Sequence, residues 1–290
     1  MSVDLRGAVV AVTGAARGVG AELSRQLAQR GAQVALLGLE PAELAAVSAQ
    51  SPGSAWWEVD VTDAAALQTV AGEVAQHFGG VDIVVANAGI GAGGHLLNAD
   101  VASYERVITV NLLGSIRTVR VFLPYVVARR GYVLQIASVA ALMPPPFMSA
   151  YAASKGGVEA FAHSLRVEMV PRGVDVGVAY LHWTDTAMVR GADETPGLGE
   201  VRSSLPGVLG KTYPLEPAVA AVVDGIERRA AHIYAQRWLR GLNWFRAALP
   251  GLAAHMPRRR LLAADAAVTA AGVAATLPMG AGGAADLQRR

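Results

Sequence analysis

A tyrosine and a lysine stand four residues apart, at Tyr151 and Lys155, in a stretch whose pattern indicates a helix. Residues at positions i and i+4 share one helix face, so the ammonium lies about one turn from the phenol. A free phenol has a pKa of about 10 and is a poor base at neutral pH. An ammonium about 4 Å away, at an effective dielectric constant of about 20, contributes roughly 4 kcal/mol, which lowers that pKa by about three units. The pair therefore predicts a general acid/base in which Tyr151 exchanges a proton.

Two observations add to this pair. Ser138 ends a predicted strand, and at the carboxyl end of a strand its hydroxyl can hydrogen-bond a substrate oxygen. Lys155 is one of two lysines among 25 basic residues, which indicates a site that needs a compact ammonium and not a planar guanidinium. Taken singly, each side chain has an ordinary alternative: a packed helix tyrosine for Tyr151 and a strand-end cap for Ser138.

A glycine-rich segment, Thr13–Gly20, lies between the first predicted strand and the first predicted helix and reads TGAARGVG. Glycines at such a turn let the backbone approach a pyrophosphate closely, and the helix start offers unpaired N–H groups and a partial positive charge. An ordinary glycine-rich turn is the alternative. The position between a strand and a helix favours a dinucleotide-binding loop.

The elements that must position these residues alternate between short apolar runs and helical patterns. The runs are apolar throughout, as in strands buried on both faces, and such alternation implies right-handed crossovers. We predict an α/β fold with a doubly wound, mainly parallel seven-stranded sheet, helices on both faces and a single dinucleotide-binding and catalytic domain over residues 1–236. The predicted strands are Ala8–Val12, Val34–Leu37, Ala55–Val59, Val81–Ala86, Tyr132–Ala137, Val174–Tyr180 and His232–Ala235.

Three other segments carry specific expectations. A helix is predicted from Val101 to Arg130, bent at Pro124. Residues 187–210 are rich in Gly, Pro and Ser and are predicted to form a loop that covers the substrate. Residues 237–290 are predicted to be an amphipathic and then Ala/Gly-rich extension, partly disordered. The alternation of Trp and Arg in Arg237–Pro250 is compatible with contact at a membrane surface, although packing on the body or on a partner subunit is favoured.

Composition excludes several classes of protein. The 290 residues include no cysteine, 53% are hydrophobic and 17% are charged, which argues against long disorder, disulfide scaffolds and thiolate metal sites. A net charge of +2 without long basic runs does not predict nucleic-acid binding. No His/Asp/Glu cluster has metal-ligand spacing, and no window reaches about 18 uninterrupted apolar residues. We therefore expect a soluble, cytoplasmic protein without a bound metal.

The motifs also occur in a familiar order. This order is Thr13 followed by GxxxGxG, Asn87-Ala88-Gly89 after the fourth strand, Asn111 in the next helix, Ser138, Tyr151 and Lys155. With these motifs, the sequence resembles the short-chain dehydrogenase/reductase family over roughly residues 5–235. One departure is Leu181-His182, which stands where the family has Pro-Gly.

The resemblance implies roles that the residues alone do not give. Catalysis would use Ser138, Tyr151 and Lys155, with Asn111 holding a water that connects Lys155 to solvent. Asp60 and Val61 would contact the adenine, and Thr186 the nicotinamide amide. The implied cofactor-binding residues are Gly14, Arg17, Gly18, Val19, Gly20, Gly38, Asp60, Val61, Asn87, Ala88, Gly89, Tyr151, Lys155 and Thr186.

The choice between NAD and NADP depends on the end of the second strand. Gly38 occupies the position where NAD-preferring members carry an acid, and Leu39 the position where NADP-preferring members often carry arginine. Arg17 resembles a basic residue of NADP-preferring members, whereas Glu40 would favour NAD if its side chain turned inward. The sequence favours NADP and leaves NAD open.

The predicted function is reversible hydride transfer between the nicotinamide and a secondary alcohol or ketone. Ile90–His95, Val139–Met148 and residues 187–210 are candidate substrate walls, and the mostly apolar Val139–Met148 favours a hydrophobic small molecule. A catalytically silent nucleotide-binding regulatory protein is the alternative. The resemblance also implies a homodimer or homotetramer, formed through the helices at residues 101–130 and 149–170.

Overall fold

A computed structural model describes residues 3–203, 205–249, 251 and 258–288 of the chain. Its centre is a seven-stranded sheet with the order β3-β2-β1-β4-β5-β6-β7, in which every neighbouring pair is parallel. The predicted doubly wound α/β fold is confirmed. The strands are β1 (Val9–Thr13), β2 (Gln33–Gly38), β3 (Ser54–Glu58), β4 (Ile83–Ala86), β5 (Tyr132–Ile136), β6 (Asp175–Tyr180) and β7 (His232–Tyr234).

Helices cover both faces of the sheet. Those that connect the strands are α1 (Gly18–Gln29), α2 (Pro41–Ala49), α3 (Ala64–Phe78), α4 (Val101–Ile108), α5 (Ser115–Ala128), α6 (Ser149–Met169), α7 (Ala187–Glu194), α8 (Leu198–Ser203) and α9 (Leu215–Glu227). The described part of the chain after β7 contains α10 (Leu239–Trp244), α11 (Arg258–Ala271) and α12 (Gly280–Leu287).

Alternate residues of β1 enter two different hydrophobic cores. Val9 and Ala11 pack into the core on one face of the sheet, and Val10 and Val12 into the core on the other. Successive side chains of a strand point to opposite faces, so a strand covered on both sides must be apolar at every position. This is why the strand signal in the sequence is a continuous apolar run.

The order of the strands creates the site. The chain first runs outward from β1 through β2 to β3, and then returns to place β4 on the other side of β1. In an open α/β sheet, ligands bind in the crevice outside the carboxyl ends of the strands at such a reversal. The glycine segment follows β1 and the Asn87 segment follows β4, so both flank this crevice.

The helix predicted over residues 101–130 is interrupted at a different place from the one expected. A π-helical segment, Thr109–Gly114, separates α4 from α5, whereas Pro124 lies inside α5. Such segments often occur at functional sites, and this one carries Asn111. The helical stretch Val101–Ala128 is long and apolar enough to span a membrane by length and composition, but half of its most apolar window is buried in the fold, as in a core helix.

Two predicted irregular segments are more regular in the structure. Residues 187–210 are mainly α7, α8 and a 3-10 turn at Gly207–Leu209, and Thr186 caps α7 by accepting a hydrogen bond from the Val189 N–H. In the extension, residues 258–288 are mostly helical. The rest of the predicted disorder concerns residues 250, 252–257 and 289–290, which lie outside the described residues.

The start of the extension packs on the body of the protein. Leu239 and Leu249 are buried in the core on one face of the sheet. Both Nη atoms of Arg246 donate to the buried Glu159 of α6, at 2.8 and 2.7 Å. These contacts agree with the favoured alternative, in which this segment packs on the body of the protein. Contact of the exposed Trp244 and Phe245 with a membrane surface stays a prediction.

Candidate active site

A single cleft of about 230 Å³ lies at the carboxyl ends of the strands and collects most of the predicted site. It is lined by every residue predicted to bind the cofactor and also by Ser138. Asn111 is absent from its lining but contacts the residues that form it. The predicted residues therefore lie around one continuous cleft, although they are far apart along the chain.

The glycine segment forms a tight turn between β1 and α1. Gly14 and Gly18 have φ values of +65° and +54°, a region that residues with a side chain rarely adopt. A Cβ atom at Gly20 would lie 2.1 Å from the Gly14 carbonyl oxygen. The turn therefore needs glycine at these positions. It leaves the start of α1, which has no side-chain cap, open to a phosphate group.

Asn87 holds this turn against the end of β4. Its Nδ2 donates to the carbonyl oxygens of Thr13 and Gly14, at 2.9 and 3.2 Å. The Thr13 hydroxyl in turn accepts from the N–H groups of Asn87 and Ala88, at 3.1 and 3.2 Å. The two loops are thus joined into one rigid wall. Across the cleft, the Thr186 side chain lies 3.5 Å from where a Cβ of Gly18 would be.

The residues with acid/base chemistry meet at the other end of the cleft. Tyr151 and Lys155 lie one turn apart on α6, and the Lys155 Nζ is 5.8 Å from the centre of the Tyr151 ring. The ammonium donates to the Ile136 carbonyl oxygen at the end of β5, at 2.9 Å. Ser138 follows β5 and hydrogen-bonds the Tyr151 phenol. This geometry places a hydroxyl, a phenol and an amine around one position where a substrate oxygen could bind.

The expected effect of Lys155 on the phenol is not found in the protein alone. Burial raises the pKa of Tyr151 above its ordinary value, and the hydrogen bond from Ser138 only partly opposes this. Burial also lowers the pKa of Lys155 to about 8. The prediction of a lowered phenol pKa was therefore wrong for the protein without a ligand, because the loss of hydration on burial outweighs the hydrogen bond from Ser138.

Asn111 is a connecting residue in this arrangement. Its Oδ1 accepts from the Ile90 N–H at 2.8 Å, and its Nδ2 donates to the Ile90 carbonyl and to the Ser154 hydroxyl, at 2.9 and 3.1 Å. A Cβ at Gly89 would lie 3.2 Å from the Asn111 Oδ1 and 3.6 Å from the Lys155 Nζ. Gly89 thus lets the amide and the amine approach each other. The implied water relay through Asn111 stays a prediction.

An ion pair occupies the edge of the cleft at the end of β2. The Arg17 guanidinium contacts the Glu40 carboxylate through its Nε and Nη2 atoms, at 3.0 and 2.9 Å, and the Glu43 carboxylate at 3.6 Å. Glu40 has therefore turned inward, which the sequence left open. Gly38 contributes no side chain here, and Glu40 lines the cleft beside it.

Asp60 and Val61 lie farther along the same edge. The Asp60 carboxylate accepts from the Thr62 N–H at 2.8 Å and from the Arg106 Nη2 at 2.9 Å. Burial alone would raise the pKa of Asp60, but these hydrogen bonds reverse the effect and hold it below its ordinary value. Asp60 is therefore a fixed anion at the end predicted to hold the adenine.

His182 lines the cleft without the features of a proton donor. Burial lowers its pKa to about 4, so the ring is neutral at physiological pH. A carbonyl oxygen can only accept, so the Nε2 atom, 2.9 Å from the Leu209 carbonyl oxygen, carries the ring proton and donates. His182 thus anchors the segment after α8 to the end of β6. The ring therefore has a structural role.

The proposed substrate end is apolar. Met148, Ala192, Leu198 and Met279 form a small buried cluster, against which Phe147, Tyr151 and Trp183 pack. Ile90 lies in the cleft as expected. His95, by contrast, pairs with Asp265 through its Nε2 atom, at 2.6 Å. Among the described residues, no group of three or more His, Asp or Glu side chains could hold a metal ion.

Several lining residues escaped the sequence analysis, among them Arg106, Met279, Gly282, Gly283 and Asp286. The Arg106 side chain joins Asp60 and Asp286, which lie 46 and 180 residues away along the chain. No local pattern marks such contacts.

The residues of this cleft fit a dinucleotide. The turn needs its glycines, the start of α1 is open to phosphate, and the polar cluster lies at the opposite end, next to an apolar wall. The arrangement can bind an extended cofactor along the strand ends and exchange a proton with a group bound beside Tyr151.

Comparisons with known proteins agree with this geometry. The family model described as short chain dehydrogenase matches residues 8–197. Dehydrogenase/reductase SDR family member 7B of Rattus norvegicus is 35% identical over 192 residues, a match that covers 61% of this chain and 59% of that protein. 11-beta-hydroxysteroid dehydrogenase A of Sesamum indicum is 28% identical over 260 residues, covering 86% of this chain and 74% of that protein.

Similar solved structures extend the agreement to the fold. A short chain dehydrogenase/reductase from Burkholderia phymatum, crystallised in complex with NAD, superposes with a TM-score of 0.74 at 24% identity. That match covers 85% of this chain and 95% of the Burkholderia chain. At this identity the likeness concerns the fold alone.

Proposed function

The chain belongs to the short-chain dehydrogenase/reductase family, and we propose that it interconverts a hydrophobic secondary alcohol and the corresponding ketone with Tyr151 as general acid/base. It is an NAD(P)-dependent oxidoreductase by family. The observation that carries the proposal is the meeting of Ser138, Tyr151 and Lys155 at one end of a cleft whose other end is the glycine turn. A nicotinamide held in this cleft would supply or accept the hydride.

The chain's own residues then handle the oxygen and its proton. When a ketone is reduced, the Tyr151 phenol donates its proton to the carbonyl oxygen; when an alcohol is oxidised, Tyr151 accepts that proton. The Ser138 hydroxyl orients the same oxygen. Lys155 is mainly protonated at neutral pH, with a pKa of about 8, so its charge stabilises the phenolate once the proton has left.

The apolar wall supports a hydrophobic substrate. Met148, Leu198 and Met279 offer no charged partner for a carboxylate or a phosphate. A sugar would leave most of its hydroxyls unpaired against these side chains, which is costly in a buried site. The sesame relative is named as a hydroxysteroid dehydrogenase, and this supports including steroid ketones among the compounds to be tested.

For the cofactor we propose NAD. The sequence favoured NADP because of Arg17, but Glu40 and Glu43 already neutralise that guanidinium. A 2′-phosphate near this edge would have to compete with two carboxylates, whereas ribose hydroxyls can donate hydrogen bonds to Glu40. The ion pair is thus the reason for preferring NAD.

Glu40→Gln is expected to shift this preference. Removing the carboxylate frees Arg17 and should strengthen NADPH binding about tenfold while weakening NADH binding. Fluorescence titration of both nucleotides measures the change. Arg17→Gln is the matched variant, and it should weaken NADPH binding relative to the wild type. An unchanged NADH/NADPH ratio in Glu40→Gln would show that Glu40 does not face the ribose.

The function itself is tested on the full chain. NADH fluorescence is titrated first, and turnover is then measured with aliphatic, aromatic and steroid ketones and with a sugar and a keto acid as polar controls. We expect turnover with apolar ketones and little with the polar compounds. Nucleotide binding without turnover of any compound would contradict the proposal and favour the silent regulatory protein.

We further propose a homodimer or homotetramer in the cytoplasm. Exposed apolar side chains support an interface along the helices at residues 101–130 and 149–170: Leu113, Val167 and Val170 are 40%, 72% and 70% exposed. Light scattering of the purified chain measures the mass of the particle, and a monomer would contradict the proposed assembly.

A further inference from the structure

Residues 276–287, here named the C-terminal strap, run along the mouth of the cleft. They lie far beyond residues 8–197, the part of the chain that matches the family model. Met279, Gly282, Gly283 and Asp286 of the strap nevertheless line the same cleft as the glycine turn and Tyr151. The strap therefore adds a wall that the shared part of the fold does not provide.

At the substrate end, the strap is attached to the loop after β4. Pro278 pairs with Ala92 in an antiparallel bridge, and the Met279 N–H donates to the Gly91 carbonyl oxygen at 2.7 Å. The Met279 side chain, 6% exposed, belongs to the apolar cluster against which Tyr151 packs. This end of the strap is thus fixed both by backbone hydrogen bonds and by burial.

In the middle, glycines bring the strap close to its neighbours. Gly280 has a φ of +69°, and a Cβ there would lie 2.5 Å from the Ala187 carbonyl oxygen. A Cβ at Gly282 would lie 3.9 Å from the Arg17 Cδ. The strap therefore reaches from the start of α7 to the glycine turn, without side chains that would fill the space between.

At the adenine end, one arginine joins the strap to the body of the protein. The Arg106 Nε donates to Asp286 at 2.8 Å, its Nη2 to Asp60 at 2.9 Å and its Nη1 to the Thr62 hydroxyl at 2.8 Å. The Asp286 residue is only 2% exposed. A buried carboxylate is tolerated because it is paired, so this contact helps to hold the adenine end of the strap against the body of the protein.

We propose that the strap is a closing wall of the cofactor cleft and that the Arg106–Asp286 contact controls the exchange of nucleotide. Asp286 is then a positioning residue, which acts on the cofactor through Arg106 and through the placement of α12. The cofactor would be enclosed between the strap and the strand ends, and it would enter and leave when the adenine end of the strap lifts. The inference rests on the nicotinamide cofactor of the proposed function and goes beyond it.

The first arm of the test weakens the contact. Asp286→Asn keeps the size of the side chain but removes its charge, and it is compared with Asp224→Asn, which removes an acid from the remote Arg30 pair. Stopped-flow fluorescence measures the dissociation rate of NADH from the full chain. We expect a rate about tenfold higher for Asp286→Asn and within twofold of the wild type for Asp224→Asn.

The second arm fixes the substrate end of the strap, about which the adenine end would lift. The chain contains no cysteine, so a double variant Ala92→Cys, Pro278→Cys places its only two thiols across the antiparallel bridge. Paired positions of this kind have Cα separations that a disulfide can span. Because the proposed motion is at the adenine end, oxidation should leave association and dissociation of NADH within about twofold of the rates of the reduced pair.

The outcomes separate this inference from the proposed function. If the wild-type chain binds neither NADH nor NADPH, the proposed function fails. If the wild type binds NADH but Asp286→Asn does not change the exchange rates, the proposed function stands and the closing wall is refuted. If only the oxidised cysteine pair changes the exchange rates, the Met279 end of the strap controls nucleotide exchange and the proposed role of Asp286 is wrong.

Discussion

Replacing Tyr151 by Phe is expected to reduce turnover by about 10²–10⁴ and to leave NADH binding within twofold of the wild type. The change deletes a single oxygen, the one that would exchange the proton with the substrate, and positioned acid/base groups contribute rate factors of this size. The aromatic ring and its contacts with the apolar cluster remain. Steady-state turnover and NADH titration of the same preparation measure the two effects.

The matched control is Tyr104→Phe. The Tyr104 hydroxyl hydrogen-bonds Ser149 at the start of α6, at 3.2 Å, and Tyr104 does not line the cleft. It should retain turnover within about twofold. Substantial turnover by Tyr151→Phe would mean that another group supplies the proton.

Replacing Lys155 by Met is expected to reduce turnover by at least about 10² and yet leave the chain at least as stable at neutral pH. Burial lowers the pKa of Lys155 from 10.5 to about 8, so folding at pH 7 places a charge where charge is disfavoured. The corresponding cost is roughly 3 kcal/mol. Lys155→Met removes this cost and so gains stability. It also removes the hydrogen bond to Ile136 and leaves a buried carbonyl unpaired, which offsets about 1–3 kcal/mol of that gain.

The sign of the pH dependence follows from the same lowered pKa. Between pH 8 and 10.5 the unfolded chain holds a proton on Lys155 that the folded chain has released. The contribution of this lysine to the free energy of unfolding therefore rises with pH through that range, and its cost is fully present below about pH 8. Urea unfolding at pH 7 and at pH 10 measures it.

Two comparisons make this prediction specific. Lys211→Met removes the only other lysine, which is exposed, and should change neither turnover nor stability by much. In Lys155→Met the pH-dependent rise in stability should be smaller than in the wild type. A variant that is several kcal/mol less stable at pH 7 would show that the hydrogen bond to Ile136 outweighs the cost of the buried charge.

The sequence predicted those parts of the fold and site that local patterns determine. The apolar runs of β1 and β2 mark strands buried on both faces, and the glycines of Thr13–Gly20 mark a turn that tolerates no side chain. The four-residue spacing of Tyr151 and Lys155 correctly placed both on one helix face. In each case, a short segment carries the physical constraint.

The parts that the sequence did not predict depend on contacts between distant segments. The direction of the Tyr151 pKa depends on how completely the fold removes water from the phenol, and no local pattern records that. The inward turn of Glu40 follows from its pair with Arg17, and the closing of the cleft from the pair of Arg106 with Asp286. Residues 187–210 looked irregular because α7 and α8 are short and lie between Gly and Pro residues.

We expect Tyr151 to become acidic only when the oxidised cofactor is beside it. Measuring the pKa of that phenol tests this expectation most directly. Ultraviolet difference titration of the wild type against Tyr151→Phe isolates one phenol among the 7 tyrosines. Without a ligand, no Tyr151 phenolate is expected below about pH 10, since burial raises the pKa above the ordinary value. With saturating NAD⁺ the phenolate should form at a clearly lower pH, because a positive charge nearby favours it. A titration that NAD⁺ leaves unchanged would contradict the account.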